Sequence, residues 1–302
     1  MGEAAAGWLV LGVALHLGNQ VARGRGWCAL VHTACGSAPG VRRRDAIAAW
    51  IAGAGAGGLA SARGGDAVRV LLLRRRAPEA GCPLLAGTLV AEGAGEMVTG
   101  ALLLAVALAI GAGPQLGAST ATVMVLAGAA LAILALLALA RRLPHVRRVA
   151  AGVSRGCAPL RAPGNYARRV LPWQLASRAC RLGSLACFLA AFGVPVSFAA
   201  VLLVAFAQGG GRLVPFAPAS VGASVALLAA GFGPVTGDAV STERLAAFLI
   251  GTSTVLTVVG TALALAICLR DQTLARQARS GVTAVAAAGR RLIARAATVP
   301  TP

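Results

Sequence analysis

The chain has 302 residues, 58% of them hydrophobic and 12% charged, with a mean hydropathy of +0.79. Those values exclude an ordinary soluble domain and describe an integral membrane chain. All 28 basic residues are arginine, against nine carboxylates, so the formal charge of +19 rests on side chains that stay protonated near neutral pH. Such a chain favours membrane lipids, anionic phospholipid above all. Nucleic acid is not expected, because no RNA-binding signature or soluble basic fold interrupts the apolar runs. The seven cysteines are scattered and odd in number, which argues against a disulfide framework. Cys28, His32 and Cys35 have no fourth ligand nearby, so neither a metal nor another cofactor is expected.

A membrane-spanning helix needs about 20 mostly apolar residues. In chain order, residues 5–22, 82–110, 119–140 and 244–269 meet this requirement, and 172–193 meets it despite Arg178 and Arg181. Two further apolar runs are short and broken. The run 46–60 precedes SARGGDAVRVLLLRR (61–75), and 196–208 precedes GGGRLVPFAPASVG (209–222). Trp8, Trp27, Trp50 and Trp173 fall near predicted helix ends, where an amphipathic ring suits the headgroup layer.

Arginine placement sets the predicted orientation, since short cytoplasmic connections are enriched in positive side chains. All but four of the 28 arginines lie in 23–44, 63–76, 141–169 or 270–295, whereas 111–118, 194–196 and 231–243 have none. This places the N-terminus outside and the C-terminus in the cytoplasm of a multi-pass cell-membrane protein. Both flanks of 46–73 are then cytoplasmic, so that stretch enters the membrane and returns. Residues 196–232 do the same from the other face. The expected fold is all-α: a polytopic helical bundle with two broken re-entrant hairpins in an inverted-repeat arrangement, the pattern that places a site near the midplane. Residues 1–270 form the transmembrane domain, with a first half of about 1–140, a basic connection 141–171 and a second half of about 172–270. An arginine-rich cytoplasmic tail, 271–302, follows.

Ionisable groups inside spans are costly and mark polar interiors. Glu92 and Glu96 stand four apart, on one helical face, and Arg178 and Arg181 stand three apart on another. The hairpins add Arg63, Asp66, Arg69 and Arg212. The two sets either neutralise one another or line a hydrophilic path, on which planar guanidinium groups suit a lipid phosphate. His16 is a candidate proton shuttle or simply a packed histidine.

These residues resemble the transmembrane, flippase-like region of the lysylphosphatidylglycerol synthases and their stand-alone relatives, over nearly the whole chain. In SARGGDAVRVLLLRR, Arg63, Gly65 and Arg69 match the family pattern, Asp66 stands for its glutamate and Ser61 for its proline. In AGTLVAEGAGE (86–96), Glu92 matches, Gly93 replaces an arginine and Glu96 holds the acidic position. In PFAPASVGAS (215–224), Pro215, Pro218 and Gly222 match, Ala219 and Ser220 replace a glycine pair, and Val225 stands where an acid is expected.

The resemblance implies movement of phospholipid, anionic or aminoacylated, or of a lipid-linked substrate between leaflets. Full-length synthases carry a soluble transferase domain as well. Here the longest connection, 141–171, is 31 residues, well short of the roughly 100 of a usual domain, so enzymatic activity is not expected. No nucleotide-binding loop is present and the chain has no lysine to complete one. Two other classes compete. One is a non-transporting partner or regulatory subunit that binds anionic lipid through its basic loops. The other is a membrane enzyme acting on a polyprenyl or phospholipid substrate, which would ordinarily need more clustered carboxylates than Glu92 and Glu96 supply.

Overall fold

A computed structural model describes residues 3–36, 40–59, 62–109, 144–211, 217–237 and 240–270, and all the regular structure among them is helical. The predicted span 119–140 and the tail 271–302 lie outside the described residues.

Helix α1 runs from Glu3–Cys35 without a break. It ends where Gly36 takes φ +67°, the left-handed conformation that terminates helices. This corrects the expected first span, which stopped at residue 22 because Arg23 and Arg25 look like a loop. The chain has no proline before Pro39, and the apolar positions on either side of these arginines carry the helix through them.

Next come α2 (Arg43–Leu59) and α3 (Ala62–Arg76), the two limbs of the first helical hairpin. Asp45 in the first turn of α2 and Arg74 to Arg76 in the last turn of α3 each complement the helix dipole. The limbs are antiparallel: Arg76 meets Asp45 at 3.4 Å at the open end, and glycines let the backbones close up near the tip. A Cβ on Gly65 would strike the Gly53 carbonyl.

Helix α4 (Cys82–Ala109) follows, then α5 (Pro144–Gly156), a 3-10 turn at Ala158–Arg161, and α6 (Pro163–Arg169). The basic connection is thus largely helical, and it is docked: the Cys157 thiol reaches the Gly87 carbonyl at 3.3 Å. Helix α7 (Leu171–Ala191) starts with Pro172 in its first turn, a position that needs no amide proton, and stops before Gly193 at φ +64°. The second hairpin is α8 (Phe198–Gly211) and α9 (Ala217–Thr236), also antiparallel, with Ser224 Oγ donating to the Ala207 carbonyl at 3.0 Å. Helix α10 (Thr242–Arg270) closes the bundle.

Two apolar cores stack along the long helices. One joins the C-terminal part of α1, through Trp27, Cys28 and Val31, to the first hairpin and Leu85 of α4. The other joins Leu185, Phe188 and Leu189 of α7 to the second hairpin and to Leu245, Phe248 and Leu249 of α10. Leu9 and Val13 near the other end of α1 pack against it. The first hairpin therefore packs near the C-terminal part of α1 and the second near its N-terminal part.

The first hairpin reaches partway along α10. Gly58, at its tip, faces Thr257 near the midpoint of α10, and a Cβ on Gly55 would strike the Gly260 carbonyl. Helices α1 and α10 are long and apolar enough to cross a membrane. Large apolar side chains such as Val10, Met97, Leu102, Val258 and Leu269 are 62–73% exposed, a surface suited to lipid rather than water.

Candidate polar site between the two cores

Between the apolar cores, α1, α2, α3, α4 and α7 bring together a belt of charge. Glu92 lies ten residues into α4, about 15 Å along it, and its side chain is only 8% exposed. Arg23 of α1 holds it from two atoms: Nε donates to Glu92 Oε1 at 3.0 Å and Nη2 to the same oxygen at 2.7 Å. The same guanidinium stands 3.8 Å from Glu96. Glu96 also pairs with Arg178 of α7 at 3.1 Å, and Arg178 donates further to the Glu96 carbonyl at 2.6 Å and to Thr99 Oγ1 at 3.3 Å. In the first hairpin, Arg69 pairs with Asp66 at 2.6 Å. Its guanidinium stacks 4.0 Å from the centre of the Trp50 ring, and Arg23 lies over the same ring at 4.9 Å. Trp50 thus links the hairpin arginine to the central pair through cation–π attraction.

Three guanidinium groups, of Arg23, Arg69 and Arg178, face three carboxylates, of Asp66, Glu92 and Glu96. The balance matters because an unpaired charge in apolar surroundings costs several kcal/mol. Neutral polar groups extend the belt on both sides. The Trp50 indole donates to Gln20 Oε1 at 3.2 Å, and the Gln20 amide meets His16 Nε2 at 3.1 Å. On the α7 side Gln174 Nε2 donates to Tyr166 Oη at 2.9 Å and lies 3.4 Å from the Glu92 carbonyl. Gly95 makes this possible: a Cβ there would run into Tyr166 Oη and the Gln174 amide. Burial pushes the Tyr166 phenol above the ordinary tyrosine range, the Gln174 hydrogen bond opposes the rise, and the charges of Glu92 and Glu96 add to it.

The structure therefore brings together Glu92, Glu96 and Arg178, and sets Asp66 and Arg69 beside them through Trp50. Arg181 lies one turn further along α7, half-buried. Arg63 falls in the first turn of α3, but its side chain lies outside the described residues. Pro218 begins α9 with its side chain likewise outside the description, while Gly222 is exposed on α9 beside open space. Arg212 and Pro215 lie outside the described residues altogether.

Sequence reasoning missed Arg23, the central cation, by assigning it to a loop. The available signal was the stripe His16, Gln20, Arg23, Trp27, spaced by four, three and four, which is one face of a helix that continues past residue 22. The tryptophan assignment needs correction for the same reason. Trp27 and Trp50 are 0% and 1% exposed, and Trp27 donates to Thr88 Oγ1 at 2.9 Å inside the bundle. Neither ring is presented at the bundle surface, where a headgroup could meet it. Trp8, by contrast, is 45% exposed.

The fold and its charged interior define a polytopic α-helical membrane protein. The chain belongs to the family described as lysylphosphatidylglycerol synthase TM region, whose family model matches residues 3–264. Membership makes it a membrane protein of lipid metabolism or translocation. No curated protein and no solved structure matches the chain.

Proposed function

We propose that this protein is a lipid translocator rather than an enzyme, moving an anionic or aminoacylated phospholipid, or a lipid-linked substrate, between leaflets. The observation that carries the reading is the balanced belt of Arg23, Arg69 and Arg178 against Asp66, Glu92 and Glu96 between two apolar cores. It lies at the depth where the first hairpin ends against the middle of α10. A phospholipid phosphate has the same charge and hydrogen-bonding capacity as a carboxylate. It can therefore take the place of Glu92 or Glu96 on Arg23 or Arg178, with the displaced carboxylate taking up a proton so that no lone charge is left in the belt. Access would alternate as the two hairpins, re-entering from opposite faces as inverted halves, rock against each other. In this reading the N-terminus lies outside the cell membrane and the basic end of the bundle, with the C-terminus, faces the cytoplasm.

The test is lipid scrambling in proteoliposomes, with head-group-labelled anionic and zwitterionic lipids and a surface quencher. Wild type should move labelled anionic lipid, and Glu92→Gln, Arg23→Gln and Arg63→Ala should each slow it at least tenfold while remaining folded. Wild type that moves no lipid, with or without a proton gradient, would refute autonomous translocation. One observation favours a second reading, a lipid-binding partner subunit: Glu92 and Glu96 are both already satisfied by arginine. That protein would bind anionic lipid in the same vesicles without moving it.

A further inference from the structure

At the basic end of the bundle, away from the belt, three separate parts of the chain surround a cavity of about 400 Å³. Arg25 and His32 come from α1, Arg43 opens α2, Arg168 and Arg169 end α6, and Trp173 stands in the first turn of α7. The α1 contribution is a single helical stripe, Arg25, Cys28, Ala29 and His32, so the two small residues floor the hollow that the cations rim. Arg25 is held in place by its stack on the Trp173 ring at 4.8 Å.

Among the described residues no carboxylate forms an ion pair with Arg25, Arg43, Arg168 or Arg169. Asp45, close by on α2, is engaged with Arg76. Attraction to an anionic membrane surface accounts for arginines spread over a face, and the dipole of α6 accounts for two at its end. Neither accounts for four exposed guanidinium groups from three elements lining one concavity, where an anion would meet all of them at once.

We propose that this cavity is a binding site for a phosphate bearing a small organic substituent, in the manner of glycerophosphate. Guanidinium groups match phosphate oxygens in bidentate fashion, and several around one anion are the usual means of holding it. The volume lies within the range of small-ligand sites, leaving room beside the phosphate for a glycerol-sized group against Ala29 and Trp173. The same chemistry is offered by a phospholipid headgroup and by a soluble phosphate ester. The site does not depend on translocation, since a protein that moves no lipid can still bind here.

The experiment uses the full chain in nanodiscs, with two probes. Phosphatidylglycerol retention against a phosphatidylcholine background is read by native mass spectrometry, and glycerol 3-phosphate binding to phosphatidylcholine nanodiscs by calorimetry. The pair Arg168→Gln with Arg169→Gln should weaken at least one of these more than tenfold. Loss of phosphatidylglycerol retention alone assigns a lipid headgroup, and loss of glycerol 3-phosphate binding alone assigns a soluble ester. Should both be unchanged, or should neither probe bind wild type, the proposal is overturned. A measurement without substitution guards against misfolding: the binding probe should shield Arg25, Arg43, Arg168 and Arg169 of wild type from phenylglyoxal, read by peptide mass spectrometry. Arg74 and Arg75 should react as before, and equal modification of all six would also overturn the proposal.

Discussion

Replacing Arg23 by methionine removes the central cation of the belt and keeps most of its apolar stem. Glu92 then loses both short hydrogen bonds to its Oε1, at 3.0 and 2.7 Å, and Glu96 loses a cation at 3.8 Å while keeping Arg178 at 3.1 Å. Breaking one side of a buried pair costs about 3–5 kcal/mol, because the remaining charge is stranded. The Arg23 side chain is 21% exposed and that of Glu92 8%, so partial screening reduces the expected cost to about 2–3 kcal/mol. At about 2–4 °C per kcal/mol, the heat-unfolding midpoint in detergent should fall by roughly 4–12 °C. Glu92→Gln should cost less, since Arg23 retains Glu96 and the Trp50 ring. Arg23→Met combined with Glu92→Met should recover most of the loss, because no lone charge remains. Arg23→Met within about 1 °C of wild type, or a double variant worse than the sum of the singles, would refute the ion-pair reasoning.

Gly95→Ala should lower stability by about 1–3 kcal/mol, since its methyl would displace Tyr166 and Gln174, and the same unfolding scan reads it. Tyr166→Phe should cost about 1 kcal/mol by removing the acceptor for Gln174. It should also change the alkaline behaviour. The Tyr166 phenol is raised in the folded protein, so its contribution is complete below the unfolded tyrosine value and is lost as pH rises toward the raised one. Wild type should therefore lose more stability than Tyr166→Phe as pH rises from the ordinary tyrosine value of 10.0 toward the raised one. Gly58→Cys with Thr257→Cys should cross-link under mild oxidation, because a Cβ on Gly58 stands 3.8 Å from the Thr257 side-chain atoms. Failure to cross-link would mean that the hairpin tip does not rest at the middle of α10. Phe188→Ala, which empties a fully buried site in the core of the second hairpin, should cost about 3–5 kcal/mol in the same scan.

The pairing of Glu92 with Glu96 on one face was legible in the sequence because it depends only on the helical period. So was the presence of two short helices on either side of a glycine-rich stretch, although they run to Arg43 and Arg76, three residues beyond the expected 46–73 at each end. Leu59 ends α2 and Ala62 begins α3 within GAGAGGLASARGG (53–65), where glycine density weakens the helix. The membrane class follows from composition alone. These are local or additive properties, and a one-dimensional pattern records them.

Tertiary structure decided the partners. That Glu92 would meet Arg23, 69 residues away, rather than only an arginine of the fifth predicted span, depends on α1 continuing through its own arginines and lying antiparallel to α4. The burial of Trp27 and Trp50, the approach of Tyr166 to the belt through Gly95, and the convergence of α1, α2 and α6 on one cationic hollow have the same origin. Each depends on which helix is the neighbour and at what height. An arginine that looks like a loop marker by composition becomes a buried counter-ion only when a carboxylate on another helix stands level with it.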